Sequence, residues 1–293
     1  MNRFGEHKLR SGKKIIVIGA LGVVGKALSR YLDVFDNNVV GNDIKNDPNV
    51  EASLRSCLGN EDMIFVCVPT PQSADGSIDL SMVEKVTHEI GRISQDKKHS
   101  PFVVYKSTMV PGSTSRMKEI LMTYGVNPRV VYNPEFLRQK HAFADTISPS
   151  RIVVGSDCGK DAEDVIDLYE GTESPKFVFE SFEEAELVKY YANCYYAARI
   201  SFFNQMKQYA DHFGADHDAI VKTIVADQSV GNHGSNPTGS PYGGACLIKD
   251  IGALIKTGEN IGIYNKFLRS VKDVNDLMIN KELYANNNLK RWL

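Results

Sequence analysis

The chain has 293 residues, 42% of them hydrophobic and 24% charged, with 34 Lys+Arg against 36 Asp+Glu for a net charge of -2. That composition is globular, and it excludes wholesale disorder, a collagen-like rod and a small disulfide scaffold. It also provides no global basic field for nucleic acid or an anionic membrane surface.

The elements read in order. Ile15–Ile18 is a β-branched run that predicts a buried parallel strand, and Gly22 to about Asp33 follows as a helix, with Val24, Ala27, Leu28 and Leu32 at helical spacing. Val39–Asp43 reads as a second strand ending in an acid, and Met63–Val68 as a third, stopped by Pro69-Thr70-Pro71. Leu80–Ser94 predicts a helix; Pro101–Tyr105, Arg129–Tyr132 and Arg151–Val154 predict further strands. Strands alternating with helices imply an α/β fold, a Rossmann-like doubly wound parallel sheet covered on both faces.

The pattern then changes. Phe182 to about Phe213 contains no glycine or proline and predicts one long helix, about 45 Å at about 1.5 Å per residue. Asp216–Val225, Lys249–Gly258 and Lys266 to about Tyr284 read as further helices, Ser229–Gly244 as a polar loop, and Asn286–Asn288 as a frayed tail. The expected division is residues 1–180 for a nucleotide-binding domain and 181–293 for an all-helical central or dimerisation domain.

Cys57, Cys67, Cys158, Cys194 and Cys246 are odd in number and widely spaced, which favours reduced thiols in the cytoplasm over disulfides or a zinc site. The seven histidines form no spaced cluster, so no metal is expected. Met1–Lys8 lacks the apolar core of a secretory signal, and the apolar stretch Ile15–Gly25 is too short to span a bilayer.

Gly19, Gly22 and Gly25 sit between the first strand and the first helix, where glycine lets the backbone approach a pyrophosphate at a helix N-terminus. Asp43 follows Gly25 by eighteen residues, close to the roughly 20 expected of an acid that accepts from an adenosine ribose. A carboxylate there repels a 2′-phosphate, so NAD is preferred to NADP. The spacing, G-x-x-G-x-x-G, makes the loop one residue longer than the usual fingerprint.

A second set of residues carries chemistry. Cys246 follows Gly243 and Gly244 at a helix start, where backbone N–H groups favour a thiolate, with Lys249 and Asp250 within one turn; a small apolar core cysteine is the alternative. Lys189 and Asn193 share a face of the long helix, either to hold an oxyanion or as solvated surface residues. Glu135, in Asn133-Pro134-Glu135-Phe136-Leu137-Arg138, is a water-polarising carboxylate or a surface loop acid, and Thr108 a hydrogen-bonding partner or a plain strand-end hydroxyl.

Val66-Cys-Val-Pro-Thr-Pro71, Asp75-Gly-Ser-Ile-Asp79-Leu80, Lys106-Ser-Thr108 with Val110-Pro-Gly112, Asn133–Arg138, Arg151–Gly155, Ala185–Tyr190 with Asn193, and Tyr242–Cys246 with Lys249-Asp250 occur in one order over roughly residues 13 to 275. This series resembles the UDP-glucose/GDP-mannose 6-dehydrogenase family. The resemblance implies oxidation of the C6 alcohol of a nucleotide sugar, UDP-glucose foremost, to a carboxylate with two NAD. It implies a catalytic set of Cys246, Lys189, Asn193, Asp250, Glu135 and Thr108, with Cys246 forming a thiohemiacetal and then a thioester. Cofactor contacts are implied for Gly19, Leu21, Gly22, Val23, Val24, Gly25, Asp43, Pro69, Thr70, Thr108, Gln139 and Lys249. Substrate contacts are implied for Glu135, Phe136, Leu137, Lys189, Asn193, Tyr242, Gly243 and Gly244.

Gln139 stands where the family often has glutamate, and Leu247-Ile248 where Phe-Pro is usual. The chain ends at Leu293, which implies a short form without the family's C-terminal nucleotide-binding domain. Two other readings stay open: a single-step β-hydroxyacid-type dehydrogenase with Cys246 idle, and a catalytically silent NAD-binding paralogue. Tyr190, Tyr191, Tyr195, Tyr196, Phe202 and Phe203 on the long helix predict a homodimer across it.

Overall fold

The computed structural model describes residues 14–35, 37–43, 54–56, 58–59, 63–231 and 240–280. Cys57, the tail Asn286–Asn288, the N-terminal Met1–Lys8 and most of the loop after Gly231 lie outside the described residues.

The chain divides into two compact units. One takes residues up to Thr70 together with Asp79–Lys189, and the other takes Pro71–Ile78 together with Tyr190 onward. The first is built on β1 (Lys14–Ile18), β2 (Asn38–Asn42), β3 (Met63–Val66), β4 (Phe102–Tyr105), β5 (Arg129–Tyr132), β6 (Ile152–Gly155) and β7 (Lys176–Phe179). Their order in one sheet is β2-β1-β3-β4-β5-β6-β7. Side chains alternate across this sheet. Ile16, Ile18, Ile64, Val66, Val103, Tyr105, Val130 and Tyr132 therefore enter one core, and Ile15, Val17, Met63, Phe65, Val104 and Val131 enter the other. A strand buried on both faces has to be apolar throughout, which is why these runs were legible as strands.

Helices close both cores. α1 (Val23–Val34) buries Ala27, Leu28, Tyr31 and Leu32 on one face, joined by Ala162 and Val165 of α5 (Gly159–Ile166). On the other face α2 (Ser81–Lys97) brings Val83, Ile90 and Ile93, and α3 (Ser113–Met122) brings Met117 and Leu121. A short α4 (Ala142–Ile147) follows β5.

The sheet is not wholly parallel as expected. β6 runs antiparallel to β5, with Tyr132 opposite Gly155, while every other pair is parallel. An antiparallel neighbour starts from the end at which β5 stops, so the chain between Tyr132 and Ile152 needs no crossover back along the sheet and carries only short helical turns. β7 was not anticipated because it is a four-residue edge strand with three exposed residues and no buried period.

Helix α6 (Phe182–His212) is continuous over 31 residues. The second unit adds α7 (His217–Ile224), α8 (Gly244–Asn260) and α9 (Lys266–Ile279) to its C-terminal part. Cys194, Ala197, Tyr242, Ile251, Ile255 and Val271 form a core shared by α6, α8 and α9. Polar ties fix these helices: Ser201 Oγ donates to Val271 O at 2.9 Å, and the buried Asn275 binds both backbone groups of Tyr242. No helix among the described residues is long and apolar enough to cross a membrane.

Candidate active site

β1 and β3 are neighbours while the chain after β1 runs outward to β2, so the strand order reverses at the C-terminal ends of β1 and β3. In open α/β sheets that crevice is where ligands bind. The glycine loop occupies it. Gly19 has φ +84°, and a Cβ there would stand 2.7 Å from the Cys67 carbonyl oxygen. At Gly25 a Cβ would stand 2.2 Å from the Gly19 carbonyl oxygen, so α1 packs this closely on the loop only because both positions are bare. Gly22 caps α1, whose first turn carries no acid. Free N–H groups there suit a pyrophosphate.

Asp43 Oδ2 accepts from the Leu21 N–H at 2.9 Å, so the acid after β2 also pins the loop. Leu21 and Val23 are exposed beside it, and Val24 is half-buried. The next loops carry Pro69, exposed, and Thr70, buried, whose hydroxyl donates to the Thr108 carbonyl at 2.9 Å. Ser107 Oγ donates to Val68 O at 2.7 Å, a second tie between the ends of β3 and β4. A bare glycine turn, an open helix end and a carboxylate at the end of β2 fit a dinucleotide.

Glu135 and Lys189 meet in the same unit. Lys189 Nζ donates to the Glu135 carbonyl at 2.7 Å and to its Oε1 at 2.9 Å, with side-chain exposures of 4% and 9% for the lysine and the glutamate. The surface-acid and solvated-lysine alternatives are thereby excluded. Burial alone would push the Glu135 carboxyl up. The Lys189 charge and hydrogen bond, the Leu137 N–H and the Lys106 charge outweigh it and hold the group below the usual carboxylate range. Phe136 is stacked under Arg151 at 3.8 Å, with Lys189 Nζ 5.4 Å from its ring centre. Gln139 is exposed at the start of a 3-10 turn.

Asn193 and Asp250 meet in the second unit. Asn193 Nδ2 donates to Asp250 Oδ2 at 2.5 Å, and Lys249 Nζ to Asp250 Oδ1 at 2.6 Å. Asp250 is fully buried. Burial, together with the Asp250 charge, pushes the neighbouring Cys194 thiol up to about 12, which makes it inert at neutral pH. Cys246, by contrast, is exposed in the first turn of α8, behind the N-cap Gly243. The helix starts five residues before the expected Lys249, at Gly244, so the thiol lies inside its first turn.

Sequence reasoning gave no role to Lys106, Asn133, Glu186 or Asn275. Glu186, fully buried one turn before Lys189, accepts from the Gly112 and Thr114 N–H groups at 2.7 and 2.8 Å and ties α6 to the start of α3. A lysine directly after the apolar run of β4, as Lys106 is, was the one available signal. Among the described residues no group of His, Cys, Asp or Glu could hold a metal ion.

The fold and the glycine loop define a dinucleotide-binding protein of the Rossmann type with a helical second part. The sequence matches the NAD-binding domain of the UDP-glucose/GDP-mannose dehydrogenase family over residues 49–173 and that family's central domain over residues 183–277. The chain belongs to this family, and NAD is its cofactor. The glycine loop and Asp43 precede the matched stretch, so their assignment rests on geometry.

UDP-glucose 6-dehydrogenase YwqF of Bacillus subtilis is 32% identical over 231 residues, 78% of this chain and 51% of that protein. UDP-glucose 6-dehydrogenase of Rickettsia bellii is 35% identical over 231 residues, 76% of this chain and 52% of that protein. The solved structure of a UDP-glucose dehydrogenase from the hyperthermophilic archaeon Pyrobaculum islandicum superposes with a TM-score of 0.83 at 30% identity, covering 94% of this chain and 70% of that one. The chain thus spans about half the length of the curated relatives it matches.

Proposed function

We propose that the protein oxidises the C6 alcohol of a UDP-sugar, UDP-glucose first among them, to the carboxylate in two successive steps. The observation that carries this reading is the contrast within α8: an exposed thiol, Cys246, one turn ahead of a buried carboxylate, Asp250, held on both oxygens. A cysteine that served only packing would be buried as Cys194 is.

The balance is one alcohol, two NAD and one water giving one carboxylate, two NADH and three protons. Bound NAD supplies a hydride acceptor for each oxidation. In the first step Lys189 steadies the developing charge on the C6 oxygen as the alcohol loses its proton. The Cys246 thiolate then adds to the aldehyde carbon, forming a thiohemiacetal, and Asn193 and Lys189 hold its oxygen. Asp250 serves the accompanying proton movements. The second oxidation leaves a thioester on Cys246. Water held by Thr108 and Glu135 attacks it, Glu135 accepts the proton, and the thiolate leaves. Tethering keeps the half-oxidised carbon in place for the second step.

In this reading residues 1–180 hold the cofactor, with Gln139 and Lys249 at its edge, and 181–293 carry the thiol and the dimer contacts. Phe136, Leu137, Tyr242, Gly243 and Gly244 face the sugar nucleotide. A nucleophilic thiol needs a reducing compartment, hence the cytoplasm. The homodimer uses the exposed Tyr191, Tyr195 and Phe202 of α6; Tyr190 and Phe203, expected on that surface, are buried within the chain at 0% and 3% exposure.

The test is NADH formed per sugar across UDP- and GDP-sugars. Two NADH per UDP-glucose, and no carboxylate from Cys246→Ala, are expected. One NADH per sugar with Cys246→Ala at full rate would replace this reading by a single-step dehydrogenase.

A further inference from the structure

Two loops leave the same end of the sheet with the side chains proposed to handle water, Thr108 after β4 and Glu135 after β5. The strands are parallel neighbours with Tyr105 opposite Tyr132, so the next residues, Lys106 and Asn133, stand side by side. Lys106 Nζ donates to Asn133 Oδ1 at 2.8 Å, to Asn133 O at 3.3 Å and to the Tyr169 hydroxyl at 3.3 Å. The Tyr169 hydroxyl donates to Asn133 Oδ1 at 2.8 Å, and Asn133 Nδ2 donates to Val153 O at 2.7 Å. Lys106 is 7% exposed, and all these partners are neutral oxygens.

A buried ammonium without a carboxylate at bonding distance is costly, and an apolar residue would join two strands at less cost. The charge itself therefore calls for a use. Glu135 lies within its field and lines the same pocket.

We propose that Lys106 is a positioning residue for the reaction above: it spaces the Thr108 and Glu135 loops and, as a second buried cation beside Lys189, keeps the Glu135 carboxylate ionised to accept a proton from water. The inference rests on the proposed function. The charged and titratable groups facing this pair are Lys189 of α6, Cys67 just after β3, Tyr169 before β7, and, on the rim of the same pocket, Arg151 stacked on Phe136 and Asp145 paired with Arg138. Burial pushes the Cys67 thiol up to about 12 and raises the Tyr169 hydroxyl well above its ordinary range, so both are neutral. Burial also draws Lys106 down, to about 8, against the pull of the Glu135 charge, which leaves it a cation at neutral pH. Lys106, Lys189 and Glu135 together carry one positive charge in excess.

The experiment compares wild type with Lys106→Met in the full chain. NADH formation from UDP-glucose is followed from about pH 5 to about pH 9, and the Glu135 carboxyl carbon is titrated by isotope-edited NMR. The expected results are a kcat about tenfold lower, a KM for UDP-glucose within about twofold, and an acid limb displaced upward by about one pH unit. The NMR midpoint of Glu135 should rise by a similar amount. An unchanged Glu135 midpoint overturns the inference, whatever happens to the rate. If wild type forms no NADH from UDP-glucose, the functional reading fails and the NMR titration alone decides on Lys106. Lys106→Gln, which keeps an amide donor toward Asn133, takes the place of Lys106→Met should the latter not fold.

Discussion

Lys189 grips Glu135 at two points, the carbonyl at 2.7 Å and the carboxylate at 2.9 Å, so one side chain fixes both the loop and its charge. Removing one member strands the other in a buried site. Lys189→Ala should therefore destabilise the protein by about 3 kcal/mol, and the double variant Lys189→Ala/Glu135→Ala should cost less than the sum of the singles by about 1–3 kcal/mol. Urea unfolding of the four proteins measures this. Turnover of Lys189→Ala should fall by a factor of about 100–1000, as for loss of an oxyanion donor.

Lys106 gives stability a definite pH dependence. Its folded-state value, drawn from 10.5 to about 8, lies below the unfolded one. Between those values the unfolded chain binds a proton that the native protein does not, so stability rises with pH. The gain is present above about 10.5 and is lost as pH falls through about 8. Its full size is on the order of 3 kcal/mol. Lys106→Met should flatten this rise in urea-unfolding free energies taken from pH 8 upward; an equal slope in both proteins would contradict it. Glu135 has the opposite sense. Its depressed value stabilises the fold above the ordinary carboxylate range and ceases to do so as pH falls below it.

Thr108 and Glu135 stand out in the residue order because they follow strand ends, where an apolar run stops abruptly at a polar word. Lys106-Ser107-Thr108 and Asn133-Pro134-Glu135 both announce themselves in that way. Partnership was not legible. Lys189 with Glu135 and Asn193 with Asp250 are 54 and 57 residues apart in sequence, and no local spacing encodes such pairs. The reversal of β6 escaped for a related reason: a run of three apolar side chains, Ile152–Val154, looks alike in either direction. Tyr190 and Phe203 were misplaced because periodicity on a 31-residue helix with little amphipathic bias does not say which stripe the chain itself covers.

Asp43 does two jobs that a conservative replacement separates. Its Oδ2 accepts the Leu21 N–H, which holds the glycine loop, and in the proposed cofactor site its charge would disfavour a 2′-phosphate. Asp43→Asn keeps an acceptor but removes the charge. NAD affinity should drop by about tenfold and the NAD-over-NADP preference should shrink by more, as measured by nucleotide titration of protein fluorescence. Gly25→Ala is the harsher control, because its Cβ would meet the Gly19 carbonyl at 2.2 Å, and detectable NAD binding should be lost.

Asn275 binds the Tyr242 N–H at 2.8 Å and the Tyr242 carbonyl at 3.2 Å, and it is 1% exposed. Tyr242 leads through Gly243, the N-cap, into the helix that carries Cys246, so this asparagine sets where the first turn of α8 begins. Asn275→Ala leaves a buried N–H without its acceptor, a loss of about 2 kcal/mol in unfolding free energy. Asn275→Asp keeps the acceptor but turns a carboxylate oxygen toward the Tyr242 carbonyl, and should cost at least as much above the ordinary carboxylate range. Both variants should lower kcat/KM for UDP-glucose by about tenfold and leave the affinity for NAD unchanged, because only the approach to Cys246 is disturbed. Equal losses for sugar and cofactor would mean that Asn275 supports the whole second unit and not this turn.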